Sequence, residues 1–141
     1  MTRFVSERLN RSHRLGEFRS GHVALGSGEV AFVWHRGDGD VLAYYALSPH
    51  RLRSGEREAP AVLLSQLTLH ESLQRQALGG QVVADALSRV LHATRSVDAR
   101  YVVAEAGDDR TAAVYRHHGF TPIPGTQRLI QRTVDIQAAI G

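Results

Sequence analysis

The sequence contains no cysteine and no lysine, although 17 of its 141 residues are basic. Without cysteine the chain has no disulfide, no thiolate zinc site and no cysteine nucleophile. Because every basic residue is an arginine, mechanisms that need a lysine Schiff base are excluded as well. A run of about 20 apolar residues, which a membrane span needs, is also missing, and the charged first residues are not followed by an apolar signal-peptide core. We therefore expect a soluble, cytoplasmic protein.

Length and charge set wide limits on fold and partners. A chain of 141 residues fits one compact domain with its own core, so we expect residues 1–141 to form a single domain. The formal net charge of +3 is compatible with an anionic cofactor or with RNA, but many ordinary domains carry the same charge. The eight histidines show neither a His-x-x-x-His spacing nor carboxylate partners, and we expect no metal site.

The first half of the chain is typical of a β-sheet. Two apolar runs at residues 29–35 and 41–47 flank the Gly- and Asp-rich residues 36–40, which predicts a hairpin of two antiparallel strands. The arginine-rich patch at residues 51–58 is interpreted as a surface loop. The run at residues 61–70 starts apolar and then alternates between apolar and polar residues, which predicts a central strand.

A long helix is predicted from Gly79 to Arg95, because apolar residues recur there at i, i+3, i+4 and i+7. These apolar positions are Val82, Val83, Ala86, Leu87, Val90 and Leu91. Residues 101–105, YVVAE, follow as a short buried strand.

A second helix, two turns or more long, is predicted after this strand. Asp108 or Asp109 can cap it, and Gly119 ends it. The segment TPIPG at residues 121–125 predicts a turn, and residues 129–136 predict a last strand. The order of hairpin, strand, helix, strand, helix and strand indicates an α/β (α+β) fold with helices packed on a mixed sheet.

The stretch LQRQALGGQ at residues 73–81 joins the predicted central strand directly to the long helix. A helix N-terminus presents unpaired backbone N–H groups and the positive end of the helix dipole, which suits a pyrophosphate. Gly79 and Gly80 let an anion approach the backbone closely. The same two glycines are equally consistent with an ordinary helix start.

Two motifs in this order resemble those of the GNAT superfamily of acetyltransferases. Gln74, Ala77 and Gly79 match its pyrophosphate loop, Gln/Arg-x-x-Gly-x-Gly/Ala, which lies between its fourth strand and third helix. Residues 113–120, AVYRHHGF, are similar to the A-x-Tyr-x-x-x-Gly-Phe ending of its next helix. The resemblance covers about residues 29–136 and implies the GNAT fold, a mixed and mostly antiparallel central sheet with flanking helices.

A narrower resemblance is to the GNAT toxins of type II toxin–antitoxin systems. One strand of these toxins is similar to residues 41–49. Another strand, with the pyrophosphate loop that follows it, is similar to residues 62–80. The Phe-Asp-Cys-Gly element of the toxins resembles residues 18–21, FRSG. The resemblance implies transfer of acetyl from acetyl-CoA to the amino group of an aminoacyl-tRNA, a small ribbon-helix-helix antitoxin as partner, and a homodimer. Arginines on loops are usually solvated, but here some become candidate RNA phosphate contacts. They are Arg51, Arg53, Arg57 and Arg75.

The resemblance also implies roles for individual residues. The residues that would hold the pyrophosphate are Gln74, Arg75, Gln76, Ala77, Leu78, Gly79 and Gly80. A strand N–H at Leu67, Thr68 or Leu69 would polarise the thioester carbonyl. Tyr115 has the position of the tyrosine that protonates the departing thiolate, although its spacing also fits a core residue of an amphipathic helix. The general base stays open among His70, Glu71 and Glu105.

Two departures from the family pattern leave alternative functions open. Ala77 puts a methyl group where the loop usually has glycine. Only 7 residues separate Gly21 from Glu29, so most of the family's second helix, one wall of the acceptor site, is absent. The alternatives are a catalytically silent GNAT module that binds CoA or a protein, and a general small-amine or protein N-acetyltransferase.

Overall fold

The computed structural model describes residues 3–12, 16–26, 29–35, 41–71 and 79–140. Within these ranges the chain forms eight strands and three helices. The strands are β1 (Arg3–Ser12), β2 (Gly16–Gly26), β3 (Glu29–His35), β4 (Val41–Ser54), β5 (Arg57–Leu69), β6 (Tyr101–Glu105), β7 (Thr121–Pro122) and β8 (Arg128–Arg132). The helices are α1 (Gly79–Val97), α2 (Asp109–His117) and α3 (Thr133–Ile140). None of these helices is long and apolar enough to cross a membrane.

The strands pair in one sheet in the order β1-β2-β3-β4-β5-β6-β8-β7. Neighbouring strands are antiparallel except β5 and β6, which α1 connects and which run parallel. A crossover through a helix returns the chain to the same end of the sheet, so a parallel pair results. The predicted mixed, mostly antiparallel sheet with flanking helices is confirmed.

All three helices pack their apolar residues into one core, against one face of the sheet. The apolar stripe predicted on α1 is confirmed. Its buried members are Val82, Val83, Ala86, Leu87, Val90 and Leu91. Tyr115 is the buried residue of α2 and Ile136 that of α3. Trp34 on β3 belongs to the same core and is 3% exposed.

The helix α2 has the predicted caps at both ends. The Asp108 carboxylate accepts a hydrogen bond from the Thr111 N–H at 2.7 Å, which satisfies one of the free donors of the first turn. At the other end Gly119 adopts φ 93°, a left-handed conformation that glycine reaches without strain.

The surface-loop prediction for residues 51–58 is wrong, because β4 and β5 continue through it as paired strands. Arg53 lies opposite Glu58, and their side chains form an ion pair across the strands at 2.6 Å. The reversal is confined to Gly55, at φ 64°, and Glu56. The polar composition of residues 51–58 indicated a loop, but ion pairing between the two strands contributes to their stability as a hairpin.

The last strand is shorter than predicted, because β8 ends at Arg132 and α3 begins at Thr133. The Thr133 N–H donates to the Arg100 carbonyl at 2.8 Å, and its hydroxyl donates to the Ala99 carbonyl at 2.9 Å. Helix formation buries Ile136, which the strand prediction had placed in the sheet. The predicted turn at 121–125 is likewise shortened, since its first two residues form β7 at the sheet edge.

Two strands occupy the described residues before β3. Residues 3–12 and 16–26 pair antiparallel with each other, and the second of them pairs with β3. Residues 18–21, the FRSG segment, lie within β2. Among the described residues before Glu29 no helix is present.

Candidate active site

The sheet opens into a wedge between its two parallel strands. The β5–β6 ladder runs only from Ala61 opposite Tyr101 to Leu64 opposite Ala104, although β5 continues to Leu69. On its other side β5 stays paired with β4 as far as its end. We call this opening, between the second half of β5 and the end of β6, the wedge. Beyond Leu64, β5 has no β6 residue opposite it, so a substrate entering the wedge would approach this edge of β5.

A β-bulge marks the point where β5 leaves β6. Tyr45 on β4 faces two residues of β5, Gln66 and Leu67, and Gln66 adopts φ 59°. Such a bulge bends its strand and increases the local twist. Polar side chains tie the exposed face of the bulge together, since the Tyr44 hydroxyl donates to Gln66 Oε1 at 3.4 Å and the Thr68 hydroxyl to the Gln66 carbonyl at 3.1 Å.

The ladder geometry separates the three strand residues that were predicted to polarise a carbonyl. The His70 N–H donates to the Leu42 carbonyl on β4 at 2.7 Å. Because N–H groups alternate along a regular strand, the Thr68 N–H also points to β4, while that of Leu69 points away from β4. The Thr68 N–H therefore lacks the direction that the predicted role requires, whereas Leu67 lies in the bulge, where this alternation does not apply, and its role stays a prediction.

The helix α1 begins immediately after the segment that was predicted to bind pyrophosphate. Gly79 and Gly80 form its first turn, which carries no acidic residue to compete with an anion. A Cβ on Gly80 would stand 3.7 Å from the His118 ring at the end of α2, so the two helices meet at this point. Gln74, Arg75, Gln76, Ala77 and Leu78 lie outside the described residues, and their roles stay predictions.

Tyr115 is completely buried, at 0% exposure, and packs against Phe120 with ring centroids 5.5 Å apart. Its hydroxyl has no hydrogen-bond partner among the described residues. Burial, and next the negative charge of Glu105, raise the pKa of Tyr115 far above its ordinary value. The phenol therefore keeps its proton at neutral pH. An unpaired hydroxyl of this kind costs about 1–3 kcal/mol, which fits a group that meets its partner only in a complex.

The three candidate general bases lie on opposite sides of the wedge. Glu105 is the last residue of β6, and Arg128 on β8 donates to its Oε2 from Nε and Nη2, both at 3.3 Å. His70 and Glu71 follow the end of β5 and are exposed. Burial and then the charge of Arg128 lower the pKa of His50, against an opposing effect of Glu105.

Sequence reasoning missed Arg128, and it missed Asp85 on α1. The Asp85 carboxylate accepts hydrogen bonds from Trp34 Nε1 at 3.2 Å and from the Tyr45 hydroxyl at 3.1 Å, and it pairs with Arg89 at 3.2 Å. Asp85 could have been noticed in the sequence, because this carboxylate lies among the apolar positions of α1 that are buried. Among the described residues, no three histidine or acidic side chains are grouped so as to hold a metal ion.

Three of the four candidate RNA-contacting arginines lie away from the wedge. Arg51, Arg53 and Arg57 are at the far end of the β4–β5 hairpin, whereas the wedge opens at the C-terminal end of β5. Glu58 binds the first two, with N–O distances of 3.8 and 2.6 Å. Arg75 lies outside the described residues. The hairpin arginines therefore form a surface separate from the site.

No family model matches the chain, but individual relatives do. It is 32% identical to a tRNA-acetylating toxin of Mycobacterium tuberculosis over 131 residues, which cover 85% of this chain and 77% of that protein. A tyrosine-to-phenylalanine variant of the toxin AtaT, bound to acetyl-CoA and the C-terminus of the antitoxin AtaR, is 27% identical, with a TM-score of 0.71 over 79% of this chain and 71% of its own. The KacTA toxin–antitoxin complex with DNA is also 27% identical, with a TM-score of 0.70 over 81% and 74%.

The parallel strands β5 and β6 that part, the bulge in β5 and the start of α1 at the opening have the arrangement of a GNAT acetyltransferase. The chain belongs to the family of tRNA-acetylating toxins. The resemblance found in the sequence is thereby confirmed.

Proposed function

We propose that this protein transfers the acetyl group of acetyl-CoA to the amino group of an aminoacyl-tRNA, and that it acts in the cytoplasm as the toxin of a toxin–antitoxin pair. The observation that carries the proposal is the Tyr115 hydroxyl, which is buried, protonated and without a partner among the described residues. The names of its relatives support the substrate and the donor, since they include a tRNA-acetylating toxin and a toxin bound to acetyl-CoA.

The residues around the wedge fit acetyl-CoA. The Tyr115 hydroxyl has no hydrogen-bond partner among the described residues. A strand N–H at Leu67 or Leu69 would meet the thioester carbonyl. The positive N-terminus of α1, at Gly79 and Gly80, suits the pyrophosphate, assisted by the backbone and side chains of residues 74–78. Bound acetyl-CoA supplies an acetyl group activated as a thioester.

Each group of the chain has one task in the transfer. The N–H groups of Leu67 and Leu69 stabilise negative charge on the carbonyl oxygen as the amine attacks. Tyr115 donates its proton to the sulfur that leaves. Its apolar surroundings keep the phenol neutral until that charge develops nearby, which prevents loss of the proton to solvent.

Incubation with labelled acetyl-CoA and separate charged tRNA, uncharged tRNA and small amines tests the proposal. Label on charged tRNA alone supports it, because only the charged form offers an aminoacyl amine. Equal labelling of small amines would favour a general N-acetyltransferase. If acetyl-CoA binds but no amine is labelled, the protein is a silent GNAT module.

The proposed partners follow from the same family. We propose that an antitoxin binds this protein, and from the family resemblance we expect it to be of the ribbon-helix-helix type. The proposal is supported by the similar toxin AtaT, which is bound to the C-terminus of the antitoxin AtaR. A homodimer and a single domain over residues 1–141 stay predictions, which sedimentation and limited proteolysis of the purified protein test.

A further inference from the structure

We propose that Glu105 binds the acceptor amine and stabilises the positive charge that develops on its nitrogen during attack. This inference rests on the proposed acetyl transfer and deepens it, because it places the acceptor at one named side chain. It also selects one residue from the three bases that the sequence left open.

Glu105 borders the wedge on one side and is held firmly on the other. The β5–β6 ladder ends at Leu64 opposite Ala104, so Glu105 is the first residue of β6 without a neighbour on β5. The ladder with β8 continues past it, since Glu105 lies opposite Arg128 and the Ala106 N–H donates to the Gln127 carbonyl at 2.9 Å. The side chain is therefore fixed at the edge of an opening, as an acceptor-binding group needs to be.

The carboxylate of Glu105 has one occupied and one available oxygen. Both Arg128 donors bind Oε2, while Oε1 has no hydrogen-bond partner in the described part of the chain. The side chains of Glu105 and Arg128 are 42% and 39% exposed, so a substrate can reach the pair. Arg128 orients the carboxylate, and Oε1 remains free to accept an N–H from an amine.

Glu105 and Tyr115 lie on opposite faces of the sheet, since Tyr115 belongs to the core under the helices. Val102 and Ala104 belong to the core with the helices, so by strand alternation Glu105 points to the other face. The two residues are still close enough for the Glu105 charge to act on Tyr115. Because they lie on separate faces, Tyr115 can protonate the leaving sulfur while Glu105 stays ionised and binds the attacking amine.

The chemical step then balances with groups already named. The acceptor amine donates an N–H to Glu105 Oε1. This hydrogen bond orients the lone pair of the amine nitrogen towards the thioester carbonyl. As the C–N bond forms, the nitrogen gains positive charge beside the carboxylate, and its surplus proton passes to the carboxylate and on to solvent. The C–S bond breaks, and the sulfur takes the proton of Tyr115, which solvent then restores.

Glu105→Gln tests the inference, because it keeps the size of the side chain and removes its charge. With labelled acetyl-CoA and charged tRNA, we expect kcat/KM for the tRNA to fall about 10²-fold, the usual loss for one electrostatic stabiliser. The acetyl-CoA Kd, by calorimetry, and the Tm are expected to stay at wild-type values. Glu105→Asp keeps the charge and is expected to recover part of the lost turnover.

Asp135→Asn is the matched control, since Asp135 also pairs with an arginine, Arg132, in an exposed position. It is expected to leave turnover unchanged. Wild-type kcat/KM in Glu105→Gln would overturn the inference while leaving the proposed acetyl transfer intact. A parallel loss of acetyl-CoA affinity in that variant would also overturn it, by showing a structural role. A wild-type protein that acetylates no amine would instead refute the proposed function itself.

Discussion

The indole N–H of Trp34 on β3 donates to the Asp85 carboxylate on α1 at 3.2 Å and ties the helix to the sheet. Tyr45 on β4 donates to the same oxygen at 3.1 Å, and Arg89 pairs with it one turn further along α1. The Arg89 guanidinium lies 4.8 Å above the centre of the Phe32 ring. One carboxylate therefore fixes α1, whose first turn is the proposed pyrophosphate site, against two strands.

Asp85→Ala is expected to lower the free energy of unfolding by about 2 kcal/mol, because three donors in a half-buried position lose a charged acceptor. Urea unfolding at neutral pH measures the change. Asp135→Ala is the control, since Asp135 forms an exposed pair with Arg132 at 2.8 Å. It is expected to cost less than about 1 kcal/mol. Equal losses in the two variants would show that the Asp85 cluster adds nothing beyond a surface ion pair.

Gly119→Ala is expected to destabilise the protein by about 1–3 kcal/mol, for two reasons. Gly119 adopts φ 93°, and an added Cβ would stand 2.7 Å from Gln131 Nε2. Gly107→Ala makes the same chemical change where the new Cβ meets nothing within 4 Å, and we expect it to be nearly neutral. Thermal unfolding of both variants checks the difference, and a Gly119→Ala protein as stable as Gly107→Ala would contradict the account of the α2 terminus.

We expect the free energy of unfolding to decrease as the pH is lowered, in part because of His50. Its pKa is lowered in the folded state, so below the ordinary histidine pKa the unfolded chain binds a proton that the folded protein resists. The contribution is therefore fully present above that pKa and is lost as the pH falls towards the folded value. His50→Gln removes this dependence.

Urea unfolding of the wild type and of His50→Gln at pH 7.5 and pH 5.5 measures the contribution of His50 to the pH dependence of stability. The stability lost between the two pH values is expected to be smaller in the variant, while contributions from the carboxylates cancel between the two proteins. An identical loss in both would show that His50 is not held in its neutral form.

The sequence predicted the elements whose periodicity is long and whose ends carry chemical signals. Helix α1 shows six buried residues on one stripe, and α2 has an Asp cap and a terminal glycine. Its errors fall where a specific pairing, rather than composition or periodicity, decides the structure. At residues 51–58 the paired strands carry the Arg53–Glu58 ion pair in a polar sequence, and the start of α3 is fixed by bonds from Thr133 to the distant Ala99 and Arg100.

The candidate site was predictable in its motifs but not in its geometry. Tyr115 and the glycines of α1 follow from local patterns, whereas the wedge exists because β5 and β6 part after Leu64 and Ala104. Which strand N–H points into it depends on register, which the residue types at 67–69 do not encode. Arg128 reaches Glu105 only because β8 lies beside β6, 23 residues away in sequence.

The most direct test of the central claim compares acetyl transfer to charged tRNA by the wild type and by Tyr115→Phe. The substitution keeps the buried ring and removes a hydroxyl that has no partner among the described residues, so folding and acetyl-CoA affinity are expected to be unchanged. Turnover is expected to fall by about 10²–10⁴-fold, the range for losing a positioned proton donor. Wild-type turnover in Tyr115→Phe would contradict the account and reduce Tyr115 to a packing residue.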